Sequence, residues 1–217
     1  MLRTLFILSV LALNTFSSGT PALPENRLIS TDWLADHLQT EKLRIVDMRS
    51  DIKDYWAGHI PGAVYFHVEA LRLADHRVPV KLTQPGILAA MLGEMGIYRD
   101  TAVIIYSEGG DSKAPYLLWA LDYLGHKQVG IQDGGYGKWK QEKKKVTQDY
   151  PTIEPVVYAL PGEFDKAVRA ELDEVKHAVA FDDEMIVVVR PVKAYTGVNQ
   201  PLLGGRPQPG RHLEEQG

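Results

Sequence analysis

The sequence predicts an α/β fold with a mostly parallel sheet and helices on both of its faces. Two observations carry this prediction. Helical and strand patterns alternate from about residue 31 to residue 142, which is the arrangement that builds parallel sheets. The run 102–106 is apolar at every position, as expected of a strand that is covered on both faces.

The remaining elements follow from local patterns along the chain. We expect further strands over residues 43–47, 63–66 and 128–132. We expect helices over residues 32–38, 85–95, 114–124 and 136–142. Their ends carry the usual signals, with Thr31 as an N-cap, Pro85 in a first turn, and Gly96 and Gly125 directly after last turns.

Residues 143–162 interrupt the alternation. Three prolines punctuate this segment and no amphipathic period runs through it, so we predict a linker. Beyond it we predict a helix over 164–180 and a strand over 185–189. The Gly- and Pro-rich ending from residue 204 is not expected to fold.

The N-terminus has the pattern of a secretory signal peptide. A basic start at Arg3 is followed by an apolar stretch over 5–13 and by small residues up to Ala22. The apolar stretch is shorter than the ~20 residues that span a bilayer, so we expect no stable membrane insertion after cleavage. We predict a signal peptide over residues 1–22 and a protein that is periplasmic or secreted; a buried N-terminal helix is the alternative.

Composition limits the functions that the chain can have. The formal net charge of −4 argues against nucleic acid as a partner, and the basic run 143–145 is typical of a solvated helix end. The chain has no cysteine, so it has no thiolate, disulfide or Cys-ligated metal. We expect no cofactor and no metal. Asp133-Gly134-Gly135 resembles a metal or phosphate loop, but this signal is weak, and as a strand-to-helix turn it needs no ligand.

The loop after the 102–106 strand is the most informative local feature. Its residues are Ser107, Glu108, Gly109, Gly110, Asp111, Ser112 and Lys113. Free N–H groups and the dipole of the following helix make such a loop a cradle for an anion. Glu108 and Asp111 oppose an anion by their charge, and Lys113 offsets one of them. Ser107 as a hydrolytic nucleophile lacks a Gly-x-Ser-x-Gly setting.

Two other motifs have a structural explanation. Asp47 ends a strand, where its carboxylate can accept N–H bonds or pair with Arg49, and a buried clasp is favoured over catalysis. His59 could carry a proton. Pro61 and Gly62 signal a turn, however, and a turn residue is the favoured interpretation of His59.

These motifs together resemble the rhodanese domain. The resemblance rests on residues 45–49, on Gly58-His59-Ile60-Pro61-Gly62 and its surroundings, and on residues 133–139, and it covers about residues 27–142. It implies a rhodanese-like fold and sulfur transfer from thiosulfate or 3-mercaptopyruvate, with a small sulfur-containing anion as a partner. In active members the first residue of the loop is a cysteine that takes up sulfur as a persulfide; here that residue is Ser107.

A weaker echo of the same unit follows the linker. Val188-Val189-Arg190 and then Tyr195-Thr196-Gly197 repeat the order of the first motif, with Val188 where the pattern has an aspartate. The layout resembles the tandem sulfurtransferases, in which the first domain is usually inactive. We therefore predict an incomplete second rhodanese domain over 163–217, truncated or frameshifted near residue 205.

Two functions stay open at this point. The first is a sulfurtransferase by family whose domain over 27–142 is of the non-catalytic type, because the persulfide cysteine is absent. The second is an exported module that binds an anion or an unidentified protein. A function like that of the phosphatase relatives of this fold is a third idea, and the absence of cysteine argues against it as well.

Overall fold

A computed structural model describes residues 19–75, 78–182 and 184–196, and a five-stranded parallel sheet is its central feature. The strands in these residues are β1 (Leu28–Ile29), β2 (Leu43–Asp47), β3 (Ala63–Tyr65), β4 (Arg72–Asp75), β5 (Val78–Leu82), β6 (Ala102–Tyr106) and β7 (Val129–Gln132). The helices are α1 (Thr31–His37), α2 (Ile52–Ala57), α3 (Pro85–Glu94), α4 (Lys113–Tyr123), α5 (Gly135–Gln141), α6 (Leu172–Phe181) and α7 (Val192–Tyr195). Short 3-10 turns lie at Val68–Leu71 and Lys166–Val168.

The sheet confirms the predicted architecture. Its strands lie in the order β1-β7-β6-β2-β3, and each neighbouring pair is parallel. In this register Asp47 at the end of β2 lies beside Tyr106 at the end of β6. The carboxyl ends of the strands therefore meet at one edge, where open parallel sheets commonly bind ligands.

Helices cover both faces of the sheet, as predicted. Every residue of β6 is fully buried. One apolar cluster joins β6 to α3 and α4 and includes Val103, Leu92 and Leu117. The other cluster includes Ile104 and Trp139 and lies between the sheet and the helices α1 and α5.

The ends of the predicted elements agree with the structure to within one residue over positions 31–142. The N-cap of α1 is a correction. Ser30 is the cap, since its hydroxyl accepts the N–H of Trp33, and Thr31 lies buried in the first turn. Gly96 and Gly125 follow α3 and α4 with positive φ, as predicted for residues that end helices.

Within the first 142 residues, four of the helices and strands named above have no counterpart in the sequence predictions. They are β1, α2 and the two strands of the antiparallel β4–β5 hairpin. β1 has two residues and α2 has six, so neither is long enough to show a hydrophobic period. The hairpin contains a register shift between Leu73 and Asp75, which interrupts its alternation.

The segment predicted as a linker, 143–162, has no helix or named strand and packs against the first domain. The N–H of Val156 donates to the carbonyl of Gly93 at 2.9 Å. Tyr158 is buried, and its hydroxyl lies 3.1 Å from Nδ1 of the buried His126. The first compact unit of the chain continues to Arg169.

A second compact unit begins at Ala170. Its first helix corrects the predicted span 164–180, because α6 starts only at Leu172, where Glu171 and Glu174 form a capping box. The strand predicted over 185–189 is also wrong. No strand pairs with this segment among the described residues, and a strand needs a partner for its N–H and C=O groups.

Both ends of the sequence fall outside the described residues. The predicted signal peptide is described only from Gly19, and the predicted truncation near residue 205 lies beyond the last described position. Within residues 19–75, 78–182 and 184–196, no helix has both the length and the apolar character needed to cross a bilayer.

Candidate functional site

Three neighbouring strands end at the same edge of the sheet. β2 ends at Asp47, β6 leads into Ser107, and β7 ends at Gln132. The N–H of Tyr136 donates to the carbonyl of Ser107 at 2.8 Å and so joins α5 to this edge. Two parts make up the edge: the acid–base cluster, formed by Asp47, Arg49, Tyr106 and Tyr136, and the cradle loop, residues 107–113.

The acid–base cluster is centred on a buried ion pair. Nη2 of Arg49 donates to Oδ2 of Asp47 at 2.7 Å and to the carbonyl of Gly58 at 2.7 Å. The backbone N–H of Arg49 donates to Oδ1 of Asp47 at 2.9 Å. The two side chains are 3% and 0% exposed. Buried charges require such pairing.

Two tyrosines complete the cluster. The hydroxyl of Tyr106 donates to Oδ2 of Asp47 at 2.7 Å. Burial, reinforced by the Asp47 carboxylate, raises the pKa of Tyr106 well above its ordinary value, so this phenol stays protonated. The Tyr136 ring lies 3.8 Å from the guanidinium carbon of Arg49. The cluster therefore links β2, β6 and α5 and stabilises the fold.

His59 and the residues around it also serve the fold. Its ring is fully buried, with Nδ1 at 2.9 Å from the carbonyl of Tyr55 and Nε2 at 3.1 Å from that of Asp149. Downstream of it, the motif that contains Pro61 and Gly62 closes with a bond of 3.0 Å from the Ala63 N–H to the Ile60 carbonyl. The histidine thereby holds the segment after α5 against the end of α2.

The carboxylate of Asp111 provides a negative charge within the cradle loop itself. Oδ1 of Asp111 accepts the N–H of Lys113 at 2.8 Å, and Oδ2 lies 3.0 Å from Nζ of Lys113. Burial tends to raise the pKa of Asp111, but the contacts with Lys113, helped by the nearby side chain of the buried Ser107, lower it more, so the pKa lies below its ordinary value. Asp111 is therefore charged at neutral pH and uses the first free N–H of α4.

The cradle loop packs closely against the turn that follows β7. Gly109 has a φ of +118°, and a Cβ at this position would lie 2.7 Å from the carbonyl oxygen of Gly134. A Cβ on Gly135 would lie 2.6 Å from the Gly109 nitrogen. Only glycine allows the two backbones to approach this closely. In contrast, a Cβ on Gly110 would meet nothing within 4 Å.

A cavity of about 220 Å³ lies between these two loops. Its polar lining comes from Ser107, Asp111, Gln132 and Asp133 and from the glycine backbones of both loops. Its apolar lining comes from Leu28, Ala114, Pro115 and Ile131. The volume is below the ~300–1,000 Å³ of pockets that hold drug-sized ligands, so the cavity fits a small molecule.

Gln132 is the residue of this edge that the sequence patterns do not reveal. It is 1% exposed, and its Nε2 donates to the carbonyl of Asp133 at 2.5 Å. Its Oε1 is buried and has no hydrogen-bond partner within the described residues. Its sequence signal is modest, being one polar residue at the carboxyl end of a buried strand.

The described residues contain no group of three histidine, aspartate or glutamate side chains that could hold a metal ion. The carboxylates of Asp47, Asp111 and Asp133 each have a lysine or arginine beside them instead. Asp133 pairs with Lys138 at 2.6 Å on the outer side of the turn after β7. The edge is thus built from ion pairs and backbone groups.

Comparisons with known proteins agree with this geometry. The model of the rhodanese-like domain matches residues 30–142. The sulfur carrier protein TtuD of Thermus thermophilus is 33% identical over 175 residues, which cover 78% of this chain and 60% of that protein. The 3-mercaptopyruvate sulfurtransferase of Escherichia coli is 31% identical over 194 residues, which cover 82% of this chain and 66% of that protein.

A solved structure shows the same likeness. The crystal structure of SseA from Escherichia coli, described as a 3-mercaptopyruvate sulfotransferase with the rhodanese fold, matches with a TM-score of 0.71 and 26% identity. The match covers 78% of this chain and 69% of that one. The chain spans about three fifths of the length of the first curated relatives that it matches.

Proposed function

We propose a function from one premise: the chain belongs to the rhodanese-like family. Sulfurtransferases are among its relatives. In our proposal the chain comes from a protein that transfers sulfur from thiosulfate or 3-mercaptopyruvate, and its domain over 27–142 does not itself carry the sulfur. That domain corresponds to the first half of a tandem protein, with residues 163–217 as the start of the second.

The observation that carries this proposal is Ser107. It occupies the first position of the cradle loop, where the family resemblance places the persulfide cysteine, and the chain has no cysteine elsewhere. A hydroxyl cannot form a persulfide, and its pKa is far above that of a thiol. Asp111, whose lowered pKa keeps it charged, lines the same cavity as Ser107, so its negative charge opposes the approach of an anionic sulfur donor.

The direct test is a sulfur-transfer assay on the purified 217-residue chain. Thiosulfate and 3-mercaptopyruvate serve in turn as donors with cyanide as acceptor, and thiocyanate formation is measured. We expect no turnover above a protein-free blank. The Escherichia coli 3-mercaptopyruvate sulfurtransferase is the positive control, and turnover comparable to that enzyme would refute the proposal.

A binding role is the second candidate, and the cavity beside the cradle loop favours it. A ligand that binds only the native state must raise thermal stability. Titration of the chain with thiosulfate, sulfate and phosphate tests the anion-binding form of this idea. An unchanged melting temperature with every anion would remove that form and leave ligands of other chemistry.

Export is a separate part of the proposal and rests on the N-terminal sequence pattern. We propose that residues 1–22 are a signal peptide and that the mature protein is periplasmic or secreted. Mass spectrometry of the protein from each cell fraction tests this, with a mature N-terminus near Leu23 expected in the exported fraction. An intact Met1 in that fraction would contradict it.

A further inference from the structure

One apolar segment of the second compact unit is exposed along its whole length. It is the 185–189 segment, Met185-Ile186-Val187-Val188-Val189. None of its N–H and C=O groups has a backbone hydrogen bond within the described residues. β-Branched residues favour strands, so the segment has the composition of a strand and lacks the partner that a strand requires.

The exposure of these side chains alternates as it does along a strand. Residues 185, 187 and 189 are 90%, 71% and 90% exposed, whereas residues 186 and 188 are 50% and 44% exposed. Residues 186, 188 and 190 line one groove. A period of two indicates an extended chain, whose successive side chains point to opposite faces. The 185–189 segment is therefore extended and can pair with a strand of another molecule.

The charges at the two ends of this segment indicate which partner it fits. Glu184 directly precedes it and Arg190 directly follows it, and both side chains are exposed. Pro191 comes next, and its missing N–H ends a strand ladder on that side. The segment thus has a negative end, a positive end and an apolar middle. Such a sequence is complementary to itself when two copies run in opposite directions.

An antiparallel register centred on Val187 uses this complementarity. In that register Glu184 of each copy lies opposite Arg190 of the other, and Val187 lies opposite its own counterpart. Opposite charges at directly opposed positions stabilise an antiparallel pair, whereas a parallel pair in register would place like charges opposite each other. The antiparallel arrangement also closes at two copies, because both copies use the same surface.

We infer that residues 184–190 form an interaction surface for a second copy of this chain, as an antiparallel strand pair centred on Val187. Two Glu184–Arg190 ion pairs lie at the ends of this pair, with apolar cross-strand contacts between them. One pair of short strands buries less than the ~1,200–2,000 Å² of stable interfaces, so we expect a reversible dimer with a dissociation constant on the order of 100 µM. The inference concerns assembly, so the sulfur-transfer assay neither supports nor contradicts it.

A single introduced thiol tests the register, because the chain contains no cysteine. Val187→Cys in the full chain is oxidised with copper phenanthroline, and the rate of covalent dimer formation is measured by non-reducing electrophoresis. Met185→Cys is the matched control, since residue 185 is at least as exposed as residue 187. In the antiparallel register residue 185 lies roughly 13 Å from its counterpart, which is beyond the reach of a disulfide. We expect Val187→Cys to dimerise at least about tenfold faster.

Charge reversal tests the ion pairs, with sedimentation equilibrium of the full chain giving the dissociation constant. Glu184→Arg should weaken the dimer at least about fivefold, because both end pairs become like-charged. Adding Arg190→Glu restores opposite charges and should bring the constant back to within about twofold of the parent. Glu163→Arg is the control, since it changes the net charge equally at an exposed position outside the segment; its constant should also stay within about twofold.

Three results would overturn the inference. The first is a parent chain that stays monomeric up to millimolar concentration. The second is equal crosslinking of Val187→Cys and Met185→Cys, which would contradict the antiparallel register. The third is a dimer that Glu184→Arg leaves unchanged. A general charge effect cannot imitate the expected loss, because Glu184→Arg brings the net charge of −4 closer to zero, which favours association.

Discussion

The acid–base cluster and the cradle loop occupy neighbouring strand ends, yet they differ in how their polar groups are satisfied. The cluster joins a carboxylate, a guanidinium and a phenol, and Asp47, Arg49 and Tyr106 all find partners within the protein. Beside the cradle loop, a cavity is open and the Oε1 of Gln132 has no partner in the described residues. The buried ion pair is thus a structural part of this edge.

The contrast shows how to separate structure from function at this edge. A buried charge that is fully paired has no bonding capacity left for a ligand. The cavity beside the cradle loop, in contrast, is open and has polar groups of both loops in its lining. The sequence favours a structural clasp for Asp47 and Arg49, and their hydrogen bonds within the protein agree with it.

The largest effect is expected from breaking the acid–base cluster. Asp47→Ala leaves Arg49 buried without its partner, so it should lower the free energy of unfolding by about 3–5 kcal/mol. Urea unfolding measures this loss. Asp100→Ala is the control, because its pair with Lys42 is exposed at 62% and 45% and such pairs contribute about 0–1 kcal/mol. Equal losses in the two variants would contradict a structural role that depends on burial.

The second effect concerns the close approach of the cradle loop to the turn after β7, which shapes the cavity. Gly109→Ala would bring a Cβ to 2.7 Å from the Gly134 carbonyl oxygen in a backbone with a φ of +118°, so we expect a loss of about 2–3 kcal/mol in unfolding free energy. Gly110 also has a positive φ, but a Cβ there would meet nothing within 4 Å. Gly110→Ala should therefore lower the unfolding free energy by only about 1 kcal/mol. Thermal or urea unfolding compares them. A smaller loss for Gly109→Ala than for Gly110→Ala would show that the two loops can separate freely.

The fold was largely predictable from the sequence because its signals are local. The apolar run of β6 and the helix ends at Pro85, Gly96 and Gly125 each require only a few neighbouring residues. Short length hides α2 and β1, and a distant partner also decides β1 and the 185–189 segment. β1 is a two-residue strand that exists because β7 is beside it, and the 185–189 segment has strand composition but no paired strand in the described residues.

The candidate site was predictable only in part, for the same physical reason. Ser107 and its loop follow from the strand–loop–helix pattern and from the family resemblance. The free acceptor of Gln132 depends on what surrounds a side chain in three dimensions, which no local pattern encodes. The bond from Asp111 to the Lys113 N–H is likewise a matter of geometry, although the sequence indicated that their charges offset each other.

The third effect tests whether the carboxylate of Asp111 opposes sulfur chemistry in the cradle loop. Ser107→Cys places a thiol beside that carboxylate, and a neighbouring negative charge raises the pKa of a thiol. Adding Asp111→Asn should therefore lower that pKa, by on the order of one unit. The rate of alkylation by iodoacetamide as a function of pH measures it.

Two comparisons make the thiol experiment decisive. Ser112→Cys, at the exposed end of the loop, gives the reactivity of a thiol outside the buried position. Comparing the thiol pKa of Ser112→Cys with and without Asp111→Asn shows how far the effect of Asp111 reaches. An unchanged thiol pKa at position 107 after Asp111→Asn would mean that the Asp111 carboxylate does not oppose thiolate formation in this loop.

The smallest effect is a dependence of stability on acid pH that originates in the cradle loop. The pKa of Asp111 is lowered in the folded protein from its ordinary value of 3.8, so the charged form favours folding. Its contribution is complete above pH 3.8 and is lost as the pH falls through the lower folded value. Asp111→Asn lacks this contribution, so its unfolding free energy should approach that of the parent as the pH falls. Asp133→Asn is the control, because it also removes one negative charge at the same cavity. A difference between parent and Asp111→Asn that stays constant down to the acid limit would show that the carboxylate is not held by the loop.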